Sequence, residues 1–158
     1  MSLYPVFEWC ENTAIGAVIR DSLWLFPVIE AVHLLALAVI GGAVLLVDFR
    51  LIGWGLRRQT VRELARDAQP WLFSSLGMML LTGFLLFTSE AVKCYDCPAF
   101  WVKMTSLSLA IVFTFTIRRW VVSADEGRIG PAWSKIVGCL SVLLWAGVGI
   151  GGRAIAFY

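Results

Sequence analysis

Long apolar runs alternate with short polar segments along this chain. Leu23 to Val47 is broken only by Glu30 and His33, and Trp71 to Ser89 carries no charge. Phe100 to Ile117 holds a single charge, Lys103 near its start, and Ile136 to Ile155 holds only Arg153 near its end. At a rise of ~1.5 Å per residue, helices of this length match the hydrocarbon thickness of a bilayer. A soluble protein does not need four such stretches. The pattern predicts an all-α polytopic membrane protein: a four-transmembrane-helix bundle with spans over 23–47, 71–89, 100–117 and 136–155, forming one membrane domain over 1–158. Ahead of the spans, residues 4–20 mix Phe7, Trp9, Ile15, Val18 and Ile19 with Glu8, Glu11 and Asn12. That stretch is too short and too polar to cross, and is expected to form an amphipathic interfacial helix on the outer leaflet.

Composition agrees with this pattern. Of 158 residues, 59% are hydrophobic and 15% charged, and the mean hydropathy is +0.81, values suited to lipid-facing helices. The net charge of +2 is too small to indicate a nucleic-acid partner. Met1 to Arg20 has no basic start and carries two glutamates before any long apolar run, so no removable signal peptide is expected. The placement of the basic residues is more informative than their number. Arg50, Arg57, Arg58, Arg62 and Arg66 follow the first span, and Arg118, Arg119, Arg128 and Lys135 follow the third; together they are nine of the thirteen. The positive-inside bias makes these segments cytoplasmic and puts both termini outside.

Tryptophans 24, 54, 71, 101, 120 and 133, with Tyr158, fall near span ends and suit interfacial belts. Trp145 does not, since it lies roughly 12 Å of helix from Arg153, well within the membrane. Gly147 and Gly151, four apart, with Gly41-Gly42, Gly77 and Gly83, offer small-residue faces for packing within the bundle, or for a homo-oligomer.

Glu30 and His33 are the chief chemical candidates. Three positions apart, they share a face of the first helix, and His33, the only histidine, falls near mid-membrane. Ionisable groups at that depth face the bundle interior and have partners; Lys103 and Arg153 start from the same outer side and are within reach of Glu30. Two readings stay open. One is a satisfied Glu–basic pair with a structural histidine; the other is a buried site acting as a metal or haem ligand or a proton relay. Haem on His33 needs a second ligand or an open position, with Met78, Met79 and above all Met104 as candidates. Cys94 and Cys97 flank Tyr95-Asp96 in the outer loop, where a disulfide, thiol exchange or a thiophilic metal is compatible with their spacing. Cys10 shares that face, which would complete a copper site of Cys10, Cys94 and Cys97. Cys139 is expected to be buried and inert. Asp48 and Arg50 are expected at the inner interface as a local ion pair and depth anchor. The stretch Arg57 to Asp67 reads as a solvated cytoplasmic helix attracted to anionic lipid. Phosphate-loop, paired-histidine and nucleophile-elbow signatures are absent from the sequence, so independent enzymatic activity is not expected.

The stretch Leu25-Phe26-Pro27-Val28-Ile29-Glu30-Ala31-Val32-His33-Leu34-Leu35, with Val47-Asp48-Phe49-Arg50-Leu51-Ile52-Gly53, resembles the start of DUF6644, an uncharacterised bacterial four-helix membrane family. Thr82-Gly83-Phe84-Leu85-Leu86-Phe87, Ala99-Phe100-Trp101-Val102-Lys103-Met104, Ser141-Val142-Leu143-Leu144-Trp145 and Gly152-Arg153-Ala154-Ile155-Ala156 extend the resemblance over nearly the whole chain. A broader similarity links it to copper-resistance CopD-like membrane domains. The resemblance implies the topology, a bacterial inner membrane location, and attention to Glu30, His33, Asp48, Arg50, Lys103, Trp145 and Arg153; the Cys94–Cys97 pair departs from the family pattern. The resulting expectation is a binding subunit with Glu30, His33, Met104, Lys103, Trp145 and Arg153 around haem b or copper in the outer half. It would serve electron transfer or metal handling, with other membrane or periplasmic proteins as partners. The alternative is a non-catalytic structural or accessory subunit of a larger assembly.

Overall fold

The first apolar run forms α3, Leu25–Ile52, a helix that continues past the last aliphatic residues into the charged turn holding Asp48 and Arg50. Gly53, at φ +92°, ends it in the left-handed conformation that glycine adopts without a Cβ penalty. One stripe of α3 is buried: His33, Ala36, Ile40, Ala43, Val44, Val47, Asp48 and Leu51, a spacing of three and four that sets the inward face of a helix.

These features come from a computed structural model, which describes residues 3–54, 59–124, 130–155 and 157. Arg57, Arg58, Arg128, Ala156 and Tyr158 lie outside the described residues. The second span, α4, is Val61–Ser89. It starts at a capping box in which Thr60 accepts from the Glu63 backbone and Glu63 accepts from that of Thr60, satisfying two of the helix's orphan donors. The arginine-rich stretch after Thr60 is therefore the first turns of α4, and not a separate helix. The short α5, Ala91–Asp96, leads into α6, Pro98–Phe113. A π turn over Thr114–Arg118 joins α6 to α7, Arg119–Ser123, and together they make one span, Pro98–Ser123. The last span is α8, Pro131–Ile155. Four helices are thus long and apolar enough to cross a membrane, and the described residues contain no strand. Four crossings bring both ends to the same side.

Helix α3 packs against α4 and α8, and α8 packs against α6. The core between them joins Ile40, Val44, Met79, Ala110, Trp145 and Val148; a second cluster around Val47, Leu64, Phe113 and Val121 fills the end near Gly53. Close approach depends on glycine at Gly147, where a Cβ would lie 2.9 Å from Ser106 Oγ, and at Gly151, where it would lie 3.2 Å from the Lys103 backbone. Gly41, Gly42 and Gly77 face open space.

The segment before the spans is two helices, α1 (Tyr4–Glu11) and α2 (Ala14–Asp21), because Thr13 ends one and caps the next through the Gly16 backbone. They are tied to the end of the bundle where α4 meets α5. Glu11 accepts from the Val92 backbone at 2.6 Å, and Arg20 reaches Glu11 at 3.4 Å and the Ser89 carbonyl at 3.3 Å. Phe7 inserts among Phe87, Tyr95, Phe100 and Trp101. Val6, Trp9, Ile15 and Val18 stay exposed on the other side, an apolar face suited to lipid.

Candidate functional site

His33 projects from the buried stripe of α3 into the half of the bundle that carries α1 and α2, only 7% exposed. Thr82 and Lys103 hold its ring, with the Met79 backbone beside it. Nδ1 lies 2.9 Å from Thr82 Oγ1 of α4, and Nε2 lies 3.3 Å from Lys103 Nζ of α6. The Thr82 hydroxyl donates to the Met78 carbonyl at 2.7 Å, so its oxygen is left to accept. Nδ1 therefore carries the hydrogen, Nε2 presents its lone pair, and Lys103 donates to it. Three bonds run in one direction, from the lysine through the imidazole and the threonine to a backbone carbonyl.

Glycines enclose this chain. A Cβ on Gly83 would lie 3.1 Å from His33 Cε1, and Gly151 and Gly152 of α8 form the wall along which the Lys103 stem lies. No carboxylate among the described residues is within ion-pair distance of Lys103.

Of the residues expected to share this site, the structure brings together His33 and Lys103. Glu30 is half-buried one turn earlier, with no hydrogen bond or ion pair to the described residues. Met104 is 41% exposed on the outward side of α6. Arg153 is exposed, its guanidinium 5.0 Å from the centre of the Phe157 ring. Trp145 is buried deeper, donating its indole N–H to Thr114 Oγ1 at 3.3 Å. Thr82 and Gly83 complete the site and were not singled out as site residues by sequence; a hydroxyl and a gap within a charge-free span were the available signals.

The four cysteines are unpaired thiols. Cys97 is buried at the start of α6, and Cys94 lies in α5, beneath α1. Burial, with Glu90 and Cys97 nearby, pushes the Cys94 thiol from its ordinary 9.0 up to about 11, against the pull of Lys103 and Lys93. Such a thiol is protonated at neutral pH and is a poor nucleophile. Among the described residues no three His, Cys, Asp or Glu side chains assemble as a metal-ligand group. Cys139, expected to be buried, is on the exposed face of α8, because the inward positions beside it are Val137 and Gly138.

A second polar cluster occupies the opposite end of the bundle. Asp48 is fully buried, and its Oδ1 accepts from Arg118 Nε at 2.7 Å. Arg118 also donates to the Val44 carbonyl at 3.3 Å. Asp48 Oδ2 and Ser141 Oγ are both enclosed, with the Ser141 side chain of α8 beside the carboxylate. The expected interfacial pairing of Asp48 with Arg50 is thus corrected. Asp48 continues the inward stripe and meets a cation from the third span, while Arg50 turns outward and donates to the Gln59 carbonyl at 3.0 Å. The two ends of the π turn, Thr114 and Arg118, are both buried and both engaged.

Fold and site together define a four-span helical membrane protein with a buried polar cluster in each half of its bundle. The sequence model of a family of unknown function, DUF6644, matches residues 6–158, and the chain belongs to that family. Searches of curated proteins and of solved structures found no match, and the likeness to CopD-like domains finds no support.

Proposed function

We propose that this chain is the membrane-embedded proton-exchanging subunit of a larger assembly, working through Lys103, His33 and Thr82 in the outer half of a bacterial inner membrane. The observation that carries the reading is the one-directional hydrogen-bond chain, in which an imidazole lies between a lysine and a hydroxyl. His33 Nε2 can take a proton from the Lys103 ammonium, leaving a neutral amine and an imidazolium, and can return it, while Thr82 Oγ1 holds the Nδ1 hydrogen and fixes the ring; the pair is thus competent to exchange a proton without moving its backbone. A purely structural role would be served equally by an uncharged amide pair, and hydrocarbon makes ionisable groups costly to keep. Haem b or copper is less well supported, since His33 Nε2 faces Lys103 and Met104 is turned outward.

The single histidine makes the test direct. Nitrogen NMR of detergent-solubilised protein labelled at histidine should show one tautomer, hydrogen on Nδ1, converting reversibly to the imidazolium on acidification before unfolding. Lys103→Met should alter that titration while helix content is unchanged. A ring that never titrates below the unfolding limit, or one hydrogen-bearing at Nε2, overturns the relay. A Soret band, or stoichiometric copper in the purified protein, would assign His33 to the cofactor instead.

A further inference from the structure

The inner half of the bundle opens into a cavity of about 250 Å³ between α4, α3 and the π turn with α7. On α4, Arg62, Arg66, Gln69 and Phe73 line it at positions i, i+4, i+7 and i+11, which places them along one face of a helix. Arg119 lines it from the opposite side, and Phe73 meets Phe115 across it in a stacked pair, centroids 5.4 Å apart. Polarity is therefore graded along the α4 axis: guanidinium groups near the end of the bundle, then an amide, then the stacked Phe73 and Phe115 toward its middle, where Phe73 is 48% exposed. No carboxylate among the described residues lines the cavity. Arg118 also borders it but is committed to Asp48. Arg62, Arg66 and Arg119 have no hydrogen bond or ion pair with the described residues. Glu63 is close enough to feel Arg66, yet it is held to the start of α4 by Thr60 and lies off the cavity.

We propose that this cavity binds the phosphate headgroup of an anionic phospholipid of the inner leaflet, with Arg62, Arg66 and Arg119 on the phosphate and the acyl chain descending past Phe73 and Phe115. Three like charges converging on one space repel each other unless an anion joins them, and guanidinium is the side chain best shaped for phosphate oxygens. The exposed apolar surface of Phe73, next to the arginines, favours a lipid over free phosphate, because a free anion gains nothing from stacked phenylalanines. A basic pocket between transmembrane helices on the cytoplasmic side is also where such headgroups collect. This inference is independent of the His33 relay.

The full chain in detergent, titrated with phosphatidylglycerol or phosphatidylcholine of equal chain length and read by native mass spectrometry, tests the proposal. The wild-type chain should retain phosphatidylglycerol in preference to phosphatidylcholine. R62Q, R66Q and R119Q should each weaken that retention roughly fivefold, and the triple variant should abolish the preference. K135Q, which removes a charge from the same end of the molecule away from the cavity, should leave it intact. These arginines are exposed, so the variants should fold, which circular dichroism checks. Equal retention of both lipids overturns the proposal, and so does an equal loss in K135Q, which reduces the effect to general surface charge. Displacement of the lipid by millimolar inorganic phosphate overturns the lipid assignment in favour of a free-anion site.

Discussion

Removing Arg118 while keeping Asp48 leaves a carboxylate with 0% exposure and the Ser141 side chain beside it in place of a cation. Breaking a buried ion pair from one side costs about 3–5 kcal/mol, whereas replacing both members with apolar side chains of similar volume is often nearly neutral. Arg118→Met should therefore destabilise the bundle by about 3–5 kcal/mol, and adding Asp48→Leu should restore most of that loss. Chemical unfolding of both variants in mixed micelles measures the difference. Equal, additive losses would show that the two residues do not work as a pair. The sequence made this pair hard to see. Hydropathy ends the first run at Val47, and Arg118 is one of several basic residues that follow the third run. Only the spacing from His33 through Ile40 and Val44 to Asp48 shows that the aspartate continues the buried stripe. Lys103 shows the opposite case: a lone cation in an apolar run is conspicuous, and the structure gives it the histidine that hydropathy also singled out.

At the scale of elements, the long apolar runs were legible because each needs only its own length and composition. Where helices begin, end and touch was less so, because those depend on caps and on neighbours. The break at Thr13 is one instance: a hydroxyl that caps α2 divides an apparently continuous amphipathic segment. Docking of that segment is another. A Cβ on Gly16 would collide with the backbone carbonyl of Thr88, and a backbone cannot give way as a flexible side chain does. Gly16→Val should therefore lift α1 and α2 from the ends of α4 and α5. Cys94 reports the event, since its raised pKa comes first from burial in that region. In the wild-type chain, maleimide modification of Cys94 should be slow at pH 8 and rise as pH approaches 11. In Gly16→Val the pKa should fall back toward 9.0, raising the thiolate fraction at pH 8 by up to roughly a hundredfold. Peptide mapping by mass spectrometry isolates Cys94 from the other thiols. An unchanged pH profile would show that α1 and α2 do not supply the burial.

For the whole molecule, sidedness decides what each cluster can do. His33 and Asp48 are fifteen positions apart on one helix, roughly 22 Å along its axis, so the two polar clusters belong to opposite halves of the bundle. Four spans place the termini, α1, α2 and α5 at one end. Arg62, Arg66, Arg119 and Lys135 are at the other. The imbalance of basic residues predicts that the second end is cytoplasmic, which turns the His33–Lys103 chain toward the outside and the arginine-lined cavity toward the inner leaflet. Single cysteines introduced by Leu3→Cys and Lys135→Cys, in a chain whose four native cysteines are serine, separate the alternatives. A membrane-impermeant maleimide added to intact cells should label position 3 and not position 135, with position 135 reacting only after permeabilisation. The reverse pattern would place the arginine cavity in the outer leaflet, where the anionic inner-leaflet lipid is out of reach. It would also open the relay to the cytoplasm. Because the two sites lie on opposite halves of one rigid helix, a single labelling experiment fixes the direction of both.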